Sequence, residues 1–100
     1  MTYVLEDAVK DEAGKLFQGT DLSSVIQMLE QTALPMERSG PPSRVHIAVL
    51  WLSKGSISKF STELENAACD WRDTLVDAGL ANENWREVLA GKGVDGSGWL

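Results

Sequence analysis

The sequence predicts an all-α fold: a single small helical bundle of four helices plus a short fifth, ending in a flexible Gly-rich tail. Three observations predict it. First, apolar residues recur at Ile57, Phe60, Leu64, Ala67, Ala68, Trp71, Leu75 and Ala78. Steps of three and four place them on one side of a helix. Lys59, Glu63, Glu65, Asp70, Arg72, Asp73 and Asp77 fall on the other sides. Second, glycine and proline cut the remaining chain into helix-sized pieces at Gly19, Pro35, Gly55, Gly79 and Gly91. Third, one short apolar run, Val45 to Leu52, is the sole strand candidate, and a lone strand leaves its backbone groups unpaired. One hundred residues with 43% hydrophobic content suit one small domain with one core. The expected division is a helical domain over 1–90 and a flexible tail over 91–100.

The first helix is expected over 3–17, with Leu5, Ala8, Val9, Ala13, Leu16 and Phe17 as its stripe. Glu6–Lys10 and Asp11–Lys15 are i,i+4 pairs in the favourable order. Gly19 is expected to stop it. Thr20 or Asp21 can cap a second helix that runs to about Ala33 and turns Leu22, Val25, Ile26 and Leu29 inward. Pro35 ends it, and 36–42 is a loop containing Gly40, Pro41 and Pro42.

Residues 43–53 are the ambiguous element. Val45, Ile47 and Val49 are β-branched and favour a strand. The missing partner strand, and Pro42 ahead of the run, favour a buried central helix. Lys54-Gly55 closes it, and Ser56 or Ser58 caps the long helix over 56–78, which Gly79 ends. Asn82 can cap a short helix over 83–90 that docks through Trp85, Val88 and Leu89. Four glycines in the last ten residues point to a mobile tail. Asp70-Trp71-Arg72-Asp73-Thr74-Leu75 echoes Asn84-Trp85-Arg86-Glu87-Val88-Leu89. The echo is too short for a structural repeat and suggests two helices docking by the same Trp-plus-Leu device.

The net charge of −6 is unevenly spread. Residues 1–37 carry a net −5, residues 38–62 a net +4 and residues 63–100 a net −5. The acidic ends are expected to fold onto the basic middle and partly neutralise it. One cysteine, Cys69, excludes an intrachain disulfide and a cysteine-based metal site. With no basic start or apolar leader, and no run long enough to span a bilayer, the expectation is a cytoplasmic protein without membrane contact.

Chemistry is sparsely signalled. His46 is the one histidine and has no second ligand to join it, so a structural histidine with a backbone or water partner is expected. Cys69 stands among Glu65, Asp70 and Asp73, whose charges work against a reactive thiolate. Asp73 and Asp77 share a helix face, but a cation site wants more ligands and a loop. No phosphate-binding or nucleophile-elbow motif is present. No catalytic residue, cofactor or metal ligand is therefore expected.

Residues 52–64 resemble a helix-turn-helix, in which Ser56, Ser58, Lys59, Ser61 and Thr62 would face DNA. The proposed recognition helix carries more acids than bases, which argues against phosphate contacts. Trp99 has no obvious core position, so it either stays free or docks in a groove of this or another molecule. Arg44 to Leu50, Gly55, Leu64, Ala67-Ala68, Asp70-Trp71-Arg72-Asp73, Ala78-Gly79-Leu80 and Trp85 resemble a pattern that recurs in short, uncharacterised bacterial helical proteins. The resemblance covers about half of the chain and implies a compact cytoplasmic bacterial protein with no implied activity.

The resulting expectation is a non-enzymatic interaction or regulatory module that self-associates as a homodimer. Trp51, Leu52 and Trp99 are its candidate partner-binding residues. An apolar 45–52 segment incompletely covered by a small bundle is the motive. A DNA-binding regulator is the alternative, and a small enzyme comes after it.

Overall fold

The computed structural model describes residues 3–35, 42–96 and 99. Among these residues the chain forms five α-helices and no strand: α1 (Asp7–Leu16), α2 (Gly19–Gln31), α3 (Ser43–Ser53), α4 (Ile57–Ala78) and α5 (Trp85–Gly91). The loop expected over 36–42 lies mostly outside the described residues. The fold is the all-α bundle of four helices and a short fifth. Its principal-axis extents are 34 × 27 × 23 Å.

The ambiguous segment is a helix, and it is the centre of the core. Val45, His46, Ile47, Ala48, Val49 and Leu50 are completely buried. α3 packs most extensively against α4 and also against α1, while α2 touches α1 and α4. Burial from several directions outweighs the β preference of three branched residues, because the strand alternative leaves backbone groups unpaired. The bundle therefore covers this segment as far as Leu50. Exposure begins at Trp51 and Leu52, which are half-buried. Lys54 adopts left-handed backbone with φ 51°, and Ser53 Oγ donates to the Leu50 carbonyl at 2.6 Å.

The first two helices differ from expectation at their junction. α1 begins at Asp7, and Tyr3 precedes it as a clamp. The Tyr3 amide donates to the Glu30 carbonyl at 2.8 Å, and its hydroxyl accepts from the Leu34 amide at 3.1 Å. Gly19 does not end α1, which stops at Leu16 with Phe17 in extended backbone as its cap; with φ 59° Gly19 opens α2 instead. Gln18 takes the cap position without a side-chain bond, so neither Thr20 nor Asp21 caps this helix.

The long helix has the expected ends. Ser56 Oγ accepts from the Lys59 amide at 3.3 Å. Gly79 takes φ 77°, and the Leu80 amide then bonds back to the Leu75 carbonyl at 2.8 Å. That back-bond requires left-handed backbone, which only glycine adopts without steric cost. The helix is not continuous, however. Asp70 leaves helical geometry (φ −150°, ψ 84°), and its carboxylate accepts from the Asp73 amide at 3.3 Å. Asp70 thus caps a second helical segment from inside the first. The hydrophobic pattern runs through the break because both halves face the same core.

The Asp70–Leu75 and Asn84–Leu89 echo gains a physical meaning here. In both copies a cap-type residue is followed by Trp, then Arg, then an acid, and a helix starts. An acid three residues after the cap suits the positive end of the helix dipole. The arginine lies over the preceding indole in both cases, Arg72 at 5.2 Å from the Trp71 ring centroid and Arg86 at 4.1 Å from that of Trp85. α5 starts at Trp85 with Asn84 as its cap residue, although without a side-chain bond. Asn82 contributes its backbone carbonyl instead, accepting from the Trp85 amide at 3.1 Å.

The C-terminal residues described do not form a free tail. Val94, Gly96 and Trp99 are buried. A Cβ on Gly96 would come within 2.7 Å of Leu89 Cδ1 and 3.3 Å of both the Trp85 and the Trp99 rings. Glycine at 96 is thus a close-packing requirement and not a source of flexibility. Arg86 Nη2 donates to the Trp99 carbonyl at 2.6 Å, and Arg44 joins Arg86 over the Trp85 ring. These contacts tie Gly96 and Trp99 to α5.

Candidate functional site

The site grows from an acid on an apolar stripe. Glu12 stands three residues after Val9 and four before Leu16, on the buried side of α1, and is 6% exposed. A buried carboxylate needs partners. Glu12 has two: Lys15 Nζ donates to Oε1 at 2.7 Å, and Trp51 Nε1–H donates to Oε2 at 2.8 Å. The expected Asp11–Lys15 pair gives way to Glu12–Lys15, because the buried acid needs the charge more than the exposed one. The Glu12 hydrogen bond and charge raise the Lys15 pKa above its ordinary value, with a smaller push from Asp11.

The bond from Glu12 fixes the orientation of the Trp51 indole. Lys92 Nζ lies 5.3 Å from the ring centroid, within cation–π range. A groove of about 700 Å³ runs past this ring, lined by Lys15, Lys54 and Lys92 on its basic side, by Leu52, and by Asp77 at the end of α4. Two of the three partner-binding residues expected from sequence, Trp51 and Leu52, therefore meet in one groove. Glu12 and the lysines around it were missed. The readable signal was a charged residue at a stripe position of α1.

Trp99 lies elsewhere. It lines a second cavity of about 650 Å³ with Val94, Asp95 and the N-terminal part of α1. It is 9% exposed and packs near Trp85 and Leu89 of its own chain. Its ring docks against its own chain, one of the two outcomes expected for it from the sequence.

His46 is completely buried, and its ring meets Tyr3 edge-on at 5.6 Å between centroids. Neither ring nitrogen has a hydrogen-bonding partner among the described residues. No backbone group among the described residues takes the partner role expected for it. Burial pushes its pKa down to about 4, so the ring is neutral near pH 7. Cys69 is exposed beside the α4 break. Among the described residues no group of three or more His, Cys, Asp or Glu side chains is placed to hold a metal ion.

Of the residues of the DNA alternative, Ser58 and Thr62 are exposed in the first turns of α4. Ser56 is engaged as the α4 cap, and Thr62 Oγ1 donates to the Ser58 carbonyl at 3.2 Å. Lys59 is exposed and Ser61 half-buried. Phe60, Leu64 and Ala67 commit the same helix to the core. No helix among the described residues is long and apolar enough to cross a membrane.

No family model, no curated protein and no solved structure matches this chain.

Proposed function

We propose that this protein is a non-enzymatic interaction module of the bacterial cytoplasm that self-associates through the groove at Trp51 and Leu52. One observation carries the reading: a half-exposed tryptophan whose indole is held in place by the buried Glu12 carboxylate. An aromatic anchor that is already oriented loses little conformational freedom on binding. Leu52 extends the apolar floor, and lysines form the rim. Interfaces of this composition, an apolar centre within a charged ring, are common in protein association. The single free thiol suits a reducing compartment.

Sedimentation equilibrium at tens of micromolar tests the proposal. The expected result is a mass near twice the chain's 10.9 kDa. Leu52→Ala is expected to return the protein to a monomer with its helical circular dichroism intact. A wild-type monomer throughout that range would refute self-association.

A further inference from the structure

We propose that the second copy fills the Trp51 groove with the acid-rich outer face of the last two turns of α4, centred on Val76. The inference rests on the reading of the groove as a self-association surface and names what that surface meets. The chain has 15 acids and 9 bases, so most of its surface repels an anion. The groove is different, since Lys15, Lys54 and Lys92 converge there. Glu12 is already engaged by Lys15 and the indole. Lys54 and Lys92 form no ion pair with a carboxylate among the described residues, and Lys92 rests on the Trp51 ring instead.

The matching surface lies next door. Val76 is 62% exposed, one of the few large apolar side chains so placed among the described residues. Asp73 and Asp77, four apart on a regular stretch of α4, flank it and are exposed. Asp77 also borders the groove, so the acidic patch and the basic groove are contiguous. Two contiguous, opposite surfaces are self-complementary about a twofold axis. Each copy then offers Val76 to the other's Trp51 and Leu52, and Asp73 to the other's Lys92. An apolar contact ringed by opposite charges gives both area and register. The net charge of each copy opposes approach at long range, and screening over about 8 Å at physiological salt limits that opposition.

The experiment is a charge exchange followed by sedimentation equilibrium at about 150 mM salt. Lys92→Glu and Asp73→Lys are each expected to weaken the dimer by about tenfold or more. The chain carrying both substitutions is expected to recover most of that loss, because each pair is restored with its signs reversed. Val76→Lys, at an exposed position that tolerates charge, is expected to give a monomer with its helical circular dichroism intact. A dimer lost with Leu52→Ala but indifferent to Lys92→Glu, Asp73→Lys and Val76→Lys would overturn this inference and leave the groove as the interface. A wild-type monomer would overturn both.

Discussion

His46 makes the stability of this fold dependent on pH in a calculable way. Its ring is wholly buried, and desolvation lowers its pKa from 6.5 to about 4. In the unfolded chain the imidazole takes up a proton near its ordinary value. Between those two values the unfolded state binds more protons than the folded one, so stability rises with pH across the window and falls as the solution is acidified. Going from neutral pH to about pH 5 crosses roughly 1.5 units of that window, which at about 1.4 kcal/mol per unit is a loss of about 2 kcal/mol. For a domain with roughly 5 to 10 kcal/mol of stability this is a large share. The assay is urea denaturation at about pH 7 and pH 5 on the wild type and on His46→Leu. The wild type is expected to lose about 2 kcal/mol more than the variant over that step. Equal losses in the two proteins would refute the argument, since they would place the imidazole in similar surroundings in the folded and unfolded states.

The remaining expectations concern packing and caps. Leu64→Ala is expected to cost about 2–5 kcal/mol by leaving a cavity, whereas Trp71→Ala, at a half-exposed ring, is expected to cost distinctly less; thermal melts that rank them the other way would contradict the packing described. Gly96→Ala is expected to cost about 1–3 kcal/mol through overpacking against Leu89, and a melt equal to wild type would show that the tail is not docked there. Asp70→Ala removes a cap inside α4 and is expected to cost about 1 kcal/mol, read from denaturant midpoints; an increase in stability would mean that the break is not a capped one. Fluorescence anisotropy with duplex DNA at about 150 mM salt is expected to show no sub-micromolar binding, and tight binding would bring the 52–64 alternative forward.

Local pattern was sufficient for much of this architecture. The period of the apolar residues located α4 and its buried line, and Ser56 and Gly79 marked its ends, because caps and left-handed turns are satisfied by residues close in sequence. The central helix α3 was inferred from the absence of a partner strand, a global argument that composition alone supports. The same local logic missed the Asp70 break, since a hydrophobic stripe continues unchanged when two helical segments face one core. The Asp70-Trp71-Arg72-Asp73 cap signature was visible there and was read as a docking device.

What only the tertiary structure decided is how distant residues meet. Glu12 and Trp51 are 39 positions apart, and their bond exists because α1 crosses α3. Gly96 and Trp99 looked like parts of a free tail because glycine-rich sequence is locally permissive. The close approach of Leu89 and Trp85 turns that permissiveness into a steric requirement. His46 is of the same kind: its residue type indicates a group that titrates near neutrality, and complete burial in α3 holds it neutral. Short-range geometry is written in neighbouring residues, whereas burial, charge pairing and grooves depend on which faces the packed helices bring together.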